Sequence, residues 1–291
     1  MNSWQHINEH IQRETGIRVR NGCEPIGGGC INQTLRLSGD GRDFFVKLNG
    51  AEHSEMFAAE AEGLRALAAT QTLRVPEPVC WGVAEGAAYL VLEHLSFGRS
   101  TNGAALGEQL AMLHHATQAG FGWQRDNTIG ATVQSNTPDA DWINFWKEQR
   151  LGFQLKLAQR NGYAGKLEEL GAQLLLRLEE FFVGYRPQPS LLHGDLWSGN
   201  HAYLADGAPV IFDPAVYYGD READLAMSEL FGGFSAAFYA AYRGAWPLDA
   251  GYAARKHVYN LYHIINHLNL FGGGYEQQAL RMLQQLLAEL G

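Results

Sequence analysis

Apolar and polar positions alternate, then turn periodic, along the first third of the chain. Residues 4–15 predict a short amphipathic helix. Thr34-Leu35-Arg36-Leu37 and Phe44-Phe45-Val46-Lys47-Leu48 alternate as strands do, with polar Ser38-Gly39-Asp40-Gly41 as the turn between them. Before them, Pro25-Ile26-Gly27-Gly28-Gly29-Cys30 predicts a strand leading into a glycine-rich turn. The run from Met56 to Ala69 is rich in helix formers with apolar residues at helical spacing, and two further strands are expected around 80–83 and 88–92. The first 95 or so residues thus predict a small sheet with one helix inserted after its third strand. Helical periodicity then takes over, with helices expected over 101–118, 139–160, 163–182, 222–231, 234–243, 251–270 and 275–290. A strand-and-loop island, Leu191 to Asp213, interrupts them. The expected organisation is an N-terminal lobe over 1–94 and a helical lobe over 95–291, with a cleft between them as the default place for a small ligand.

Composition narrows the function. A chain of 291 residues that is 46% hydrophobic and 18% charged is globular. Its 22 basic against 31 acidic side chains, net charge -9, offer no field for nucleic acid or an anionic membrane. Any anionic ligand must be held by local devices. Three cysteines (Cys23, Cys30, Cys80) without a C-x-x-C pair, no basic-then-apolar leader and no apolar stretch near the ~18 residues of a membrane helix predict a reduced, cytoplasmic protein.

The densest reactive cluster is His193-Gly194-Asp195-Leu196-Trp197-Ser198-Gly199-Asn200, followed by a buried-strand pattern, Pro209 to Phe212, that ends on Asp213. Phosphoryl transfer needs a carboxylate to take a hydroxyl proton, oxygen ligands for Mg²⁺ and a cation on the phosphates. Asp195 followed five positions later by Asn200 fits a base and a metal ligand on one loop, and Asp213 fits the second metal ligand. Gly27, Gly28 and Gly29 would let backbone N–H groups approach a phosphate. Lys47 on the third strand fits the phosphate-pairing lysine of ATP, with Glu60 on the next helix as its ion-pair partner and Glu62, Glu55 or Glu52 as alternatives. These parts stand in the order of a protein-kinase-like phosphotransferase. Only 11 residues separate Asp213 from Asp224 and no long activation segment follows, which argues for a small-molecule kinase.

Other patterns exclude chemistry. His6-Ile-Asn-Glu-His10 matches an H-x-x-E-H zinc pattern but has no downstream acidic ligand. Gly165-Lys166 is followed by Leu rather than Ser or Thr, so no Walker A loop is present, and no G-x-S-x-G occurs.

The segment His193 to Asn200 also resembles the signature of the fructosamine kinase (ketosamine 3-kinase) family. So do Phe212 to Ala226 and Asn266 to Tyr275. The likeness extends from the glycine-rich turn to the last helix. It implies an α+β, bilobal protein-kinase-like fold and ATP- and Mg²⁺-dependent phosphorylation of the sugar 3-hydroxyl of a ketosamine, free or protein-bound, as a deglycation repair. Fructosamine, ribulosamine and erythrulosamine all remain open. Aminoglycoside- and choline-type kinases share only part of the motif and are the alternative, beside a catalytically silent nucleotide-binding protein.

Several residues have two readings. Trp197 stacks on the sugar or packs in the core. His193 holds the loop by hydrogen bonds, acts as a base or touches substrate. Asp224 anchors the loop backbone or touches substrate. Arg221 and Glu222 bind substrate or pair with each other. Glu93, His94 and Leu95 are assigned to adenine by position, as the link between lobes. Tyr262, His263, Asn266, His267 and Asn269 close the sugar pocket or form an interhelical network, with His267 the one assigned to substrate. Cys30, beside the glycines, is a small residue chosen for fit or a reactive thiolate whose oxidation, as an intersubunit disulfide, blocks the nucleotide site. The chain is then a monomer or a redox-linked homodimer.

Overall fold

The structure, a computed structural model, describes residues 3–27 and 31–291. Gly28, Gly29 and Cys30 lie outside the described residues. The chain divides into two compact units, Met1–Asn102 with His201–Pro214, and Gly103–Asn200 with Ala215–Gly291.

In the first unit, helix α1 (Ser3–Thr15) precedes strands β1 (Val19–Pro25), β2 (Gln33–Gly39) and β3 (Asp43–Gly50), helix α2 (Ser54–Ala69), and strands β4 (Pro78–Ala84) and β5 (Ala87–Glu93). The strands form one antiparallel sheet in the order β1-β2-β3-β5-β4. The β4–β5 connection is a two-residue turn, Glu85-Gly86, with both φ positive, the backbone that suits the twist of a tight hairpin. Alternation decides the faces. Leu35, Leu37, Phe44, Val46, Tyr89 and Val91 pack on one face with Ile7 and Ile11 of α1, so Lys47, next to Val46, stands on the other.

The second unit opens with α3 (Gly103–His114) and the short hairpin β6 (Asn127–Ile129)/β7 (Thr132–Gln134). The helix expected over 139–160 is divided. It runs as α4 (Trp142–Phe145), a π-helical stretch over Trp146–Leu151, and α5 (Gly152–Arg160). A Cβ at Gly152 would stand 2.1 Å from the Lys147 carbonyl oxygen, so glycine permits the wider turn. That stretch carries Arg150, fully buried, its guanidinium over the rings of Tyr217 and Phe145. Helix α6 (Lys166–Arg177) and strand β8 (Ser190–Leu192) follow.

Past Asn200 the chain returns to the first unit as the hairpin β9 (His201–Tyr203)/β10 (Pro209–Ile211). Gly98 N–H donates to the Tyr203 carbonyl and Ile211 N–H to that of Arg74. From Ala215 it re-enters the second unit, where β11 (Tyr217–Gly219) pairs antiparallel with β8, Tyr217 opposite Leu192. Helices α7 (Glu222–Leu230), α8 (Ala236–Ala245), α9 (Tyr252–Phe271) and α10 (Glu276–Leu290) complete the unit. Its core is aromatic, with Trp142, Trp146, Phe182, Tyr217, Tyr259 and Tyr262 among the buried residues. Among the described residues no helix is long and apolar enough to cross a membrane.

Candidate active site

Two groups of chemically active side chains are assembled, one within each unit. In the first, Lys47 is buried by its position at the centre of the sheet, opposite Thr34 and Leu90. Glu60 reaches it from α2 because it shares that helix's inward face with Met56, Gly63, Leu64 and Leu67, three, four and seven residues away. Lys47 Nζ donates to Glu60 Oε1 at 2.6 Å and to Asp213 Oδ1 at 2.6 Å. Burial alone would lower the lysine's pKa. The charges of Asp213 and Glu60 and their hydrogen bonds override it and hold the pKa above its ordinary value, so Lys47 stays a cation. Asp213 follows β10 with φ +56°, a left-handed backbone that an aspartate tolerates better than most residues. Its neighbour Phe212 stacks on Phe97 at 5.6 Å.

The other candidates of this unit are less concentrated. Ile26 and Thr34 close the glycine-rich segment by exchanging backbone and hydroxyl hydrogen bonds. A Cβ at Gly27 would meet nothing within 4 Å. The Glu93 carboxylate pairs with Arg74, and the Glu93 and His94 amides donate to the carbonyls of Glu77 and Asp43. Both amides are thereby committed to neighbouring backbone at the end of β5, an interior strand. Leu95 follows, partly buried.

In the second unit the loop after β8 is held from beneath. Asp224, fully buried on the first turn of α7, accepts from His193 N–H at 2.7 Å and Gly194 N–H at 2.8 Å. Its Oδ2 also lies 3.2 Å from His114 Nε2. Burial would raise the carboxyl's pKa, but these hydrogen bonds and the adjacent imidazoles hold it below the usual range. Gly194 has φ +82°, and a Cβ there would stand 2.0 Å from the Ala215 carbonyl oxygen. The ring of His193 is fully buried and its Nδ1 accepts the Asp195 amide at 3.2 Å, so it holds the loop. Asn200 closes the turn: its Nδ2 donates to the Asp195 carbonyl at 2.9 Å and to Asp195 Oδ2 at 3.1 Å.

Trp197 is not a core residue. It is 36% exposed, and a Cβ on Gly199 would lie 2.3 Å from its indole, so the ring lies across a glycine that makes room for it. It meets Phe231 edge-on, and Phe231 in turn meets His267 at 4.8 Å. Arg221 and Glu222 do not pair with each other. Glu222, fully buried, is bonded to Arg255 Nε and Nη2 at 2.7 and 3.0 Å. Arg221 lies 4.0 Å above the Trp246 ring and donates to the Trp246 and Pro247 carbonyls. Both side chains thereby brace α7. Of the polar run on α9, Asn266 bonds Gln154, Asn269 bonds Gln154 and Asn161, and Tyr262 bonds Gln134, an interhelical network. His267 alone of that run joins the aromatic contacts beside Trp197.

Sequence reading missed His114, the residue that fixes Asp224 from α3, and Phe231. Neither carries a local motif; each is defined by a partner far along the chain.

A buried Lys–Glu pair joined to a strand-end aspartate, together with an Asp–Asn loop hung on a buried carboxylate, is the equipment of a phosphotransferase of the protein-kinase-like fold, with a hydroxyl as acceptor. The chain belongs to the fructosamine kinase family: the family's sequence model, described as fructosamine kinase, matches residues 3–289. It is 52% identical over 289 residues to a protein described as a probable ketoamine kinase of Synechocystis sp., covering 98% of this chain and 97% of that one. It is 45% identical to the chloroplastic protein-ribulosamine 3-kinase of Arabidopsis thaliana, covering 91% and 82%. Its fold matches a solved structure from Haemophilus somnus, described as a putative fructosamine-3-kinase, with TM-score 0.89, 29% identity and coverage of 98% and 97%. An aminoglycoside phosphotransferase solved with ADP and hygromycin B shares the fold alone, at TM-score 0.66 and 14% identity, over 97% and 98% of the two chains.

Proposed function

We propose that the protein transfers the γ-phosphoryl group of ATP to the 3-hydroxyl of a ketosamine of the fructosamine or ribulosamine type. The observation that carries this reading is the Asp195–Asn200 pair on a loop anchored by Asp224. It holds a carboxylate where it can orient a sugar hydroxyl and take its proton, which is the main task left to a protein in phosphoryl transfer. Lys47, kept cationic and aimed by Glu60, pairs the phosphates. The backbone around Gly27 to Gly29 and the Glu93–Leu95 segment take the rest of the nucleotide.

Asp213 and Asn200 present a carboxylate and an amide oxygen, the hard donors Mg²⁺ takes. Asn200 Nδ2 donates to Asp195, which supports the amide oxygen as the atom that would meet the ion. When bound, the ion neutralises charge developing on the transferred group. The product carries phosphate on C3, the carbon next to the ketose carbonyl; once the ketone enolises toward C1 the phosphate leaves from C3, water hydrolyses the resulting unsaturated imine and frees the amine, and the activity is a deglycation repair. We place it in the reducing cytoplasm, where the unpaired thiols Cys23 and Cys80 persist.

The test is coupled ADP release with fructosamine and ribulosamine adducts, choline and an aminoglycoside as acceptors, with the product's phosphate located by ³¹P NMR. Turnover confined to ketosamines with phosphate on C3 supports the reading, and turnover on choline or the aminoglycoside alone overturns it. In the same proposal Cys30 thiolates of two copies lose two electrons to a peroxide and join as a disulfide. Oxidant-dependent loss of turnover that is equal in wild type and Cys30→Ser removes that part.

A further inference from the structure

Beyond Trp197 the aromatic contacts continue. The ring of Phe231 lies 6.3 Å from that of Trp197 and 4.8 Å from that of His267, and His267 lies 5.5 Å from Phe271 and 5.2 Å from Tyr275. The row is built rather than incidental. Ser198 Oγ donates to the Phe231 carbonyl at 3.0 Å, tying its first turn to the catalytic loop. The turn after Phe231 passes through Gly232 and Gly233, both with positive φ, and is pinned at each end by Tyr239, whose hydroxyl donates to the Ser228 carbonyl and accepts the Phe234 amide. His267 is fixed by Nδ1–H donating to the His263 carbonyl at 2.8 Å, one helical turn back. Despite this support the row keeps its ends in solvent: Trp197 is 36% and Phe271 55% exposed. Held-open aromatic surface beside a reacting carboxylate is surface reserved for a ligand.

We propose that Phe231, His267, Phe271 and Tyr275 form a subsite for the aglycone of the substrate, the alkyl group on the ketosamine nitrogen; this rests on the ketosamine reading given above. The chemistry fits in two respects. A ketosamine nitrogen is a secondary ammonium at neutral pH, and aromatic faces attract alkylammonium groups. The methylenes that follow it, four of them in a glycated lysine side chain, gain from burial on the same rings. Burial holds the His267 pKa below its ordinary value, so the imidazole in the middle of the row is neutral and does not repel that cation. The row itself contains no charged side chain, so it suits an aliphatic chain better than an acidic or sugar-like aglycone. Extended chains, as in a glycated lysine, are therefore preferred over truncated ones.

The experiment compares two ketosamines with the same sugar, one made from methylamine and one from n-hexylamine, by kcat/KM. Wild type is expected to favour the hexyl compound about tenfold, most of it in KM. Phe271→Ser, which changes a side chain already half in water, is expected to reduce that preference to threefold or less, and Tyr275→Ser to do the same. Leu176→Ser, at an apolar residue 76% exposed on another part of the unit, is the control and retains the tenfold ratio. A wild-type ratio near one, or a ratio untouched by Phe271→Ser and Tyr275→Ser, overturns the subsite while turnover of both compounds leaves the ketosamine reading standing. Absence of turnover with either compound in wild type overturns that reading, and the subsite with it.

Discussion

Asn200 donates its side-chain amide to both the carbonyl and the carboxylate of Asp195, at 2.9 and 3.1 Å, so the position of the proposed base depends on its neighbour's hydrogen-bond donors. Asp195→Asn keeps that geometry and removes the basicity. We expect kcat to fall by roughly 10²–10⁴-fold, the usual worth of a general base, with nucleotide affinity, measured by calorimetry, within about twofold of wild type. Asn200→Asp separates two roles. An aspartate is the stronger cation ligand, but it cannot donate and sets a second carboxylate against Asp195. A loss of turnover in Asn200→Asp as large as in Asn200→Ala shows that donation to Asp195 matters; wild-type activity in Asn200→Asp reduces Asn200 to an ion ligand.

The Lys47–Glu60 pair predicts a stability effect as well as a kinetic one. Removing one member of a buried ion pair leaves the other uncompensated, a loss of about 3–5 kcal/mol in comparable cases. Lys47→Met faces both Glu60 and the half-exposed Asp213 with no cation, so its first unit is expected to unfold at a lower denaturant concentration than wild type. Glu60→Gln leaves Lys47 paired with Asp213 alone. Its expected signature is a several-fold rise in KM for ATP with a smaller fall in kcat, because the lysine survives but is less firmly aimed. Unchanged KM for ATP in Glu60→Gln would remove Glu60 from nucleotide binding.

How much of this was legible beforehand depended on sequence distance. Lys47 and Glu60 lie 13 residues apart on a strand and the next helix, and Asp195 and Asn200 lie on one loop, so spacing alone pairs them correctly. Even there, Glu52, Glu55 and Glu62 were open alternatives, and only the inward face of α2, marked by Met56, Gly63, Leu64 and Leu67, selects Glu60. The contact of Lys47 with Asp213 spans 166 positions and that of His114 with Asp224 spans 110, distances over which no local pattern reports. The return of His201–Pro214 to the first unit is of the same kind. The hairpin Asn127–Gln134 escaped because its strands are three residues each, too short for alternation to register. The π-turn at Trp146–Leu151 escaped because helical periodicity reads through it. Arg221 and Glu222, adjacent in sequence, invited pairing, yet consecutive helical positions point apart, and each found a partner elsewhere.

Asp224 makes a prediction about the loop rather than the chemistry. Its two oxygens accept the His193 and Gly194 amides, so Asp224→Ala takes the acceptor from both buried donors and the partner from His114 Nε2, while Nδ1 keeps Tyr242. A cost of about 2–4 kcal/mol is expected for losing charge-assisted bonds of this kind. Kinetically the loss should appear in kcat while KM for ATP stays close to wild type, because the loop carries Asp195 and not the Lys47 group. Hydrogen exchange at the His193 and Gly194 amides gives the direct check: acceleration in Asp224→Ala is the expected result, and unchanged protection would mean that the β8–β11 pairing holds the loop unaided.

Acid should destabilise the second unit through its buried histidines. His263 is buried on α9, and that burial, with His267 adding to it and Arg150 nearby, pushes its pKa down to about 3, against about 6.5 for an unfolded histidine. The Asp224 carboxylate acts in the opposite sense and is outweighed. A depressed folded-state pKa means that the unfolded chain binds the proton first. The contribution to stability is therefore complete above pH 6.5 and is lost progressively as pH falls toward 3, by up to about 1.4 kcal/mol per pH unit for one group. His114 and His267, also lowered by burial, act in the same direction. The thermal midpoint is expected to fall between pH 6.5 and 5 in wild type and to fall less steeply in His263→Gln, whatever that variant's stability at pH 7. Parallel pH profiles for the two proteins would mean that His263 is protonated as readily in the fold as out of it.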